Sequence, residues 1–213
     1  MKQKTCAKVV TVSLGGVADY VGQSTGDSTL KVNGYTYTIP LPGEHMMKNA
    51  LRAIALGLEL EMEPEEVAEG LRQFKLPAMR WDQSDINGVH FINDAYNANP
   101  LSMRANLLTF SQLPETGKKW AVIGGMLELG ETEIQEHKAL GQFIDTLNLD
   151  GVICVGPLGR QIQCRPGKRT FTATDTDEAA QILKDHLKDG DRVLLKASRG
   201  ERIEEVLTCF MER

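Results

Sequence analysis

The sequence predicts an α/β protein in which a doubly wound, mostly parallel sheet follows an N-terminal β-hairpin and two helices. Three observations lead to this prediction. Apolar residues make up 41% of the chain and charged residues 25%, the balance of an ordinary globular protein with a packed core. An Asn33-Gly34 dipeptide separates two alternating segments near the start. From residue 79 onward, short apolar segments alternate with helical patterns, which is typical of βαβ units.

Residues 1–78 form the first predicted region. AKVVTVSL, residues 7–14, is a candidate strand, and TLKVNGYTYTIPL, residues 29–41, contains the hairpin signal. Apolar residues then recur at helical spacing in HMMKNALRAIALGLEL, and Pro64 starts a second helix with acidic residues in its first turn. The segment LPAMRW, residues 76–81, interrupts this helical pattern and marks the predicted domain boundary.

Residues 79–213 form the second predicted region. Four apolar segments are predicted strands: VHFIND, KWAVIG, GVICVG and DRVLLKA. Helices are predicted from Pro100, over 133–147, over 177–187 and at RIEEVLTCF, with a short element near Thr170. Parallel sheets bind ligands beyond the carboxyl ends of their strands, where loops lead into helices. In this chain those ends are residues 94–99, 124–130, 156 and 196–200.

Charge, hydropathy and cysteine usage exclude several classes of function. The net charge is −5, from 29 acidic and 24 basic residues, and no dense basic run is present, so a nucleic-acid partner is not expected. No apolar run approaches the ~20 residues that cross a bilayer, so we expect a cytoplasmic protein without a membrane span. The four cysteines form no CxxC pair and have no neighbouring His cluster at metal-ligand spacing, and reduced thiols are favoured over a structural disulfide.

The segment FINDAYNANP, residues 91–100, ends a predicted strand with an unusual number of polar side chains. Asn99 is a suitable N-cap and Pro100 a suitable first residue for the following helix. Capping leaves the polar groups of Asp94, Tyr96 and Asn97 unexplained. Residue chemistry alone allows two interpretations of them, a ligand-binding loop or an elaborate turn.

DAYNANPLSM resembles the D-x-YNANP-x-SM segment of the D-alanyl-D-alanine-adding branch of the Mur ligase family. PLPGEHMMKNALRAIALG, PAMR, VIGGMLELGE and LLKASRG resemble further segments of the same family, in the same order. The resemblance covers nearly the whole chain. It implies that residues 1–78 are the distal part of the central ATP-binding domain and that residues 79–213 are a Rossmann-like C-terminal domain.

The resemblance implies an adenosine site between these two domains. Asn49 would hold the adenine ring, since a carboxamide can pair with a donor and an acceptor on one base edge. Arg80 would contact ribose or phosphate oxygens, and Asp94 would accept hydrogen bonds from ribose hydroxyls. Without the family, an exposed helix residue and a solvated linker arginine are the simpler interpretations of Asn49 and Arg80.

The same resemblance assigns the incoming amine substrate to the loops after two strands. Its predicted contacts are Tyr96, Asn97, Asn99, Ser198 and Arg199, with Arg199 gripping a carboxylate. A strand end that precedes a helix also favours anions. The chain departs from the family at Met46, at Gly125, where relatives commonly carry Asp, and at Ala197 in place of Gly. No role is assigned to His45, Glu128, Glu131 or His137.

The implied activity is that of an ADP-forming carbon–nitrogen ligase of peptidoglycan synthesis. ATP and Mg²⁺ convert the carboxylate of UDP-MurNAc-tripeptide to an acyl phosphate, which the amine of D-alanyl-D-alanine attacks. No G-x-x-x-x-G-K-[ST] phosphate loop occurs in the 213 residues, and the family's metal ligands are expected upstream, together with the UDP-binding domain. We therefore expect a truncated, monomeric chain without ligase activity of its own, in which specificity for the third peptide residue depends on the missing domains.

Two further classes of function were weighed. A non-catalytic module that binds a dipeptide or a nucleotide would use most of the same contacts, so this alternative stays open. A dinucleotide-dependent oxidoreductase is excluded, because DAYNANP, residues 94–100, contains no glycine for the close approach of a pyrophosphate.

Overall fold

The computed structural model describes residues 6–114, 117–165 and 167–212. The chain divides into two compact units, one up to Lys75 and the other from Leu76. Within the described residues, no helix has both the length and the apolar character that a bilayer crossing requires.

The first unit contains a four-stranded sheet in the order β1-β2-β3-β4. The strands are β1 (Val12–Leu14), β2 (Tyr20–Gly26), β3 (Thr29–Val32) and β4 (Tyr35–Thr38). The predicted hairpin is confirmed as β3–β4, in which Asn33 and Gly34 have φ angles of 49° and 85°, as a type I′ turn requires. Two features differ from the prediction. The first candidate strand shortens to three residues, and β2 was not predicted.

Two helices complete the first unit, α1 (Glu44–Glu59) and α2 (Pro64–Gln73). Pro64 is the first residue of α2, and Glu63 and Glu66 form a capping box there. The apolar side of α1 packs against alternate residues of the sheet. The core of this unit includes Leu30, Val32, Tyr37, Met47, Leu51 and Ile54.

The second unit contains a six-stranded sheet in the order β5-β6-β10-β7-β8-β9. Its strands are β5 (Asp82–Ile86), β6 (Val89–Asn93), β7 (Lys119–Ile123), β8 (Gly151–Val155), β9 (Thr170–Ala173) and β10 (Arg192–Lys196). All neighbouring strands are parallel except β5, which pairs antiparallel with β6. β5 was not predicted from the sequence, although Asn87-Gly88, with φ angles of 51° and 80°, forms a second hairpin turn of the same kind.

Helices cover both faces of this sheet, so the predicted doubly wound α/β fold is confirmed. They are α3 (Pro100–Gln112), α4 (Glu133–Ile144), the short α5 (Gly156–Gly159), α6 (Thr176–His186) and α7 (Glu205–Met211). Phe91, Val193 and Leu195 pack with residues of α6 and α7 on one face. The alternate residues Ile92 and Leu194 are buried as well, and α3 contacts β10 and β7.

The connections after β6 and β10 create a crevice. These two strands are hydrogen-bonded neighbours, yet the chain leaves β6 towards α3 on one face and leaves β10 towards α7 on the other. Two loops that depart to opposite faces leave a gap between them, which is where open α/β sheets bind ligands. The loops at this gap span residues 94–99 and 197–204.

Candidate functional site

Lys196 joins the two loops at the crevice. It is the last residue of β10, and its side chain is only 1% exposed. The ammonium group donates to Asp94 Oδ2 at 2.5 Å, to the Asn97 carbonyl at 3.0 Å and to the Asp94 carbonyl at 3.3 Å. Burial lowers the pKa of Lys196, and the nearby Asp94 carboxylate opposes that effect. Lys196 is not among the site residues predicted from the sequence.

The Asp94 carboxylate has hydrogen-bond partners on both oxygens. Oδ1 accepts from the Trp81 backbone N–H at 3.0 Å, and Oδ2 accepts from the Asn106 amide as well as from Lys196. A carboxylate offers about four acceptor positions, so three internal donors leave one. The side chain is 14% exposed, which gives that position access to a ligand hydroxyl.

Two guanidinium groups contact the segment that enters the crevice. The Cζ atom of Arg80 lies 4.1 Å from the centre of the Tyr96 ring, a cation–π contact. Arg199 contacts the sulfur of Met79 and pairs with Glu204 at 3.1 Å. The Tyr96 backbone N–H donates to the Met79 carbonyl at 3.1 Å, so both arginines contact one connected group of residues. This positive region suits an anionic ligand.

Asn97 and Asn99 are exposed on the loop before α3. Asn99 is the N-cap, as predicted: its Oδ1 accepts from the Ser102 N–H at 2.8 Å, and its own N–H donates to the Ser102 hydroxyl at 3.1 Å. The Asn97 Oδ1 accepts from the Ala98 N–H at 2.8 Å. Both amide oxygens therefore shape the loop, whereas the amide NH₂ groups donate no hydrogen bond within the described residues.

Ser198, in the loop after β10, forms hydrogen bonds to the loops after β6 and β7. It is 5% exposed, its hydroxyl accepts from the Leu127 N–H at 2.9 Å, and the same hydroxyl donates to the Ala98 carbonyl at 3.3 Å. Its backbone N–H donates to the Gly125 carbonyl at 2.9 Å. The hydroxyl proton is thus used within the protein, and one acceptor lone pair remains for a ligand.

His137 fixes the loop after β7. Its side chain is fully buried, and Nε2 accepts from the Met126 backbone N–H at 2.9 Å. A backbone N–H can only donate, so Nε2 carries no proton and Nδ1 donates to the Glu133 carbonyl at 2.7 Å. His137 is therefore a positioning residue, while Glu128 and Glu131 are exposed on the same loop.

Asn49 belongs to the first unit. It is an exposed residue of α1, and its Oδ1 accepts from Arg52 at 2.8 Å. Its amide NH₂ group remains available to a base acceptor.

The second unit thus brings seven of the eight predicted site residues to one sheet edge: Arg80, Asp94, Tyr96, Asn97, Asn99, Ser198 and Arg199. Chemically, this edge can bind an anion through two arginines and a hydroxyl through a carboxylate. The described residues contain no group of three or more His, Cys, Asp or Glu side chains that fits a metal ion.

Known proteins resemble the chain in sequence and in structure. A family profile described as Mur ligase, glutamate ligase domain, matches residues 79–199. The UDP-N-acetylmuramoyl-tripeptide--D-alanyl-D-alanine ligase of Bacillus subtilis is 36% identical over 215 residues, which cover 95% of this chain and 47% of that protein. The protein of the same name from Mycobacterium tuberculosis is 33% identical over 237 residues, covering 94% and 46%.

Solved structures give the same result. The MurF ligase of Thermotoga maritima in complex with ADP superposes with a TM-score of 0.77 at 26% identity, covering 92% of this chain and 47% of that one. A MurF structure from Acinetobacter baumannii gives a TM-score of 0.82 at 25% identity, covering 96% and 47%. The chain spans about half the length of the curated relatives it matches.

Proposed function

Because the chain belongs to the Mur ligase family, as its sequence motifs predicted, we propose that it is the adenosine- and amine-binding part of an ATP-dependent ligase. That ligase would add D-alanyl-D-alanine to UDP-MurNAc-tripeptide, the reaction in the names of the curated relatives. Residues 1–78 would be the distal part of its central domain, and residues 79–213 its C-terminal domain.

The observation that supports this proposal most strongly is the buried Lys196 ammonium between the two loops of the crevice. Burying a lysine to 1% exposure costs free energy of folding unless its ammonium group is fully paired. The pairing of Lys196 therefore holds residues 94–97 in one position. Loops that must present ligand groups in a fixed geometry need such support. An elaborate turn without a ligand would not need a charged anchor.

The amine substrate would bind at the loop residues. Arg199 is 62% exposed and can turn its planar guanidinium towards the dipeptide carboxylate, which it would bind through two parallel hydrogen bonds. The NH₂ groups of Asn97 and Asn99 would donate to the peptide carbonyl, and Tyr96 would border the site. These contacts would hold the dipeptide amine in position for attack on the acyl carbon and would exclude water from it.

The nucleotide would use a second set of groups. The remaining acceptor position of Asp94 suits a ribose hydroxyl, and Arg80, held on the Tyr96 ring, suits a phosphate oxygen. Asn49 would bind the adenine edge through its NH₂ group. ATP, with Mg²⁺, would supply the phosphoryl group that activates the tripeptide carboxylate. The residues of this chain would bind and orient the nucleoside.

Calorimetry on the purified chain tests this proposal with two ligands. We expect D-alanyl-D-alanine to bind the wild type, and we expect Arg199→Ala and Asn97→Ala to weaken it by about tenfold each, the loss of one charge-assisted or well-made hydrogen bond. ADP binding should fall in Asp94→Asn and should be unaffected by Asn97→Ala. Arg202→Ala is the matched control, since Arg202 belongs to the same turn but pairs with Glu205.

Unchanged dipeptide binding in both Arg199→Ala and Asn97→Ala would remove the amine site from the crevice. Equal losses in Arg202→Ala would show that the turn tolerates no substitution, and the assignment of Arg199 would fail.

A further inference from the structure

The turn that carries Ser198 and Arg199 also carries an acid that the proposed function does not use. Arg199–Glu201 forms a single 3-10 turn after β10. Glu201 is partly buried and directs its carboxylate over the carboxyl ends of β7 and β8. A Cβ atom on Gly125 would lie 3.0 Å from Glu201 Oε1, and one on Gly156 would lie 3.3 Å from Oε2.

Glycine at these positions keeps the space around the carboxylate open. Gly124, Gly125 and Gly156 carry no side chains, and a methyl group at residue 125 would also lie 2.8 Å from the Leu158 Cβ. A larger residue at 125 would displace either Glu201 or Leu158. The chain departs from the family pattern at Gly125, and glycine at this position leaves room for the Glu201 carboxylate.

The charge of Glu201 is not neutralised within its surroundings. Glu205 pairs with Arg202 and Asp94 with Lys196, whereas Glu204 pairs with Arg199 through Oε1 and keeps a buried Oε2 that has no hydrogen-bond partner among the described residues. Across the described parts of the chain, Glu201 forms no ion pair and its carboxylate accepts no hydrogen bond. A partly buried carboxylate without a cation remains available to pair with a ligand cation.

We propose that Glu201 binds the ammonium group of the dipeptide substrate, opposite the carboxylate that Arg199 would bind. This inference rests on the proposed function. Arg199 and Glu201 leave one turn in different directions, the first towards Met79 and the second towards Gly125. Gly200, between them in sequence, carries no side chain.

Opposite charges on one turn would favour the zwitterionic form of the substrate. Glu201 is thus a specificity residue: it would select a free amine over a blocked one, and it would hold the nitrogen that must attack the acyl carbon. The ammonium must lose its proton before that attack, and a carboxylate at hydrogen-bond distance provides an acceptor for it.

Binding of D-alanyl-D-alanine and of N-acetyl-D-alanyl-D-alanine by the purified chain tests the inference. The two ligands differ in the charge of one group. We expect the wild type to bind the free dipeptide about tenfold more tightly, the contribution of one charge-assisted hydrogen bond. Glu201→Gln should bind both ligands equally, at the affinity of the wild type for the acetylated one, and Glu201→Asp should keep part of the preference. Glu205→Gln, the matched control, should keep all of it.

The outcomes separate this inference from the function on which it rests. Equal binding of both ligands by the wild type, or an undiminished preference in Glu201→Gln, overturns the role of Glu201 and leaves the amine site in place. Failure of the wild type to bind either ligand overturns the amine site and Glu201 with it. Binding of the acetylated ligand by Glu201→Gln also shows that this variant is folded.

Discussion

Replacing Lys196 with Met removes the buried cation that holds the crevice together. Truncating one partner of a buried ion pair costs about 3 to 5 kcal/mol, because the other charge remains buried and unpaired. Asp94 would keep two of its three donors, the Trp81 N–H and the Asn106 amide, which favours the lower end of that range. The Asn97 carbonyl would lose its donor and adds about 1 kcal/mol. We expect a loss of about 3 to 4 kcal/mol in the free energy of unfolding.

Urea unfolding followed by tryptophan fluorescence measures this loss. Both tryptophans, Trp81 and Trp120, are buried in the unit from Leu76, so the signal reports the unit that contains Lys196. With a slope of about 2 kcal/mol per M, the midpoint should fall by about 1.5 to 2 M. A fall of less than about 0.5 M would refute the role assigned to the ammonium.

A double-mutant cycle separates the ion pair from general damage to the fold. In Lys196→Met with Asp94→Asn no unpaired charge remains, so the double variant should recover about 2 kcal/mol relative to additivity. Lys119→Met is the matched control, because Lys119 is also buried but its ammonium donates only to the carbonyls of Ser111 and Leu113. Adding Asp94→Asn to that control should bring no recovery.

Two further predictions concern residues outside the crevice. His137→Ala leaves the buried Met126 N–H without an acceptor and opens a cavity, so the free energy of unfolding should fall by about 2 to 3 kcal/mol in the same urea assay, whereas the exposed His90→Ala should change it by less than about 0.5 kcal/mol. An equal effect of the two substitutions would contradict the positioning role of His137. Burial raises the pKa of the Cys154 thiol to about 12, so at mildly alkaline pH a thiol reagent should label exposed Cys6 first and should reach Cys154 only after unfolding. Mass mapping of the labelled sites checks the order, and early labelling of Cys154 would show that this part of the core is open.

The sequence predicted the elements that carry an apolar signal. VHFIND, KWAVIG, GVICVG and DRVLLKA correspond to β6, β7, β8 and β10, since central parallel strands are buried on both faces and appear as short apolar runs. It did not predict β5, whose residues are mostly exposed and show no apolar alternation. The Asn87-Gly88 turn was the signal available for that edge strand.

Interactions between distant segments could not be predicted from one sequence alone. Lys196 lies 102 residues from Asp94, and only the adjacency of β6 and β10 brings them together. A lysine at the end of an otherwise apolar strand was the one local indication that a buried partner exists. The surroundings of Glu201 depend likewise on the ends of β7 and β8, so its role required the structure.

The crevice between β6 and β10 is tested most directly by mapping backbone amide chemical shifts of the chain as D-alanyl-D-alanine is added. We expect the largest changes in residues 94–99 and 197–201, with smaller ones near residue 125. Changes confined to residues before 76, or to the opposite edge of the sheet, would contradict this expectation.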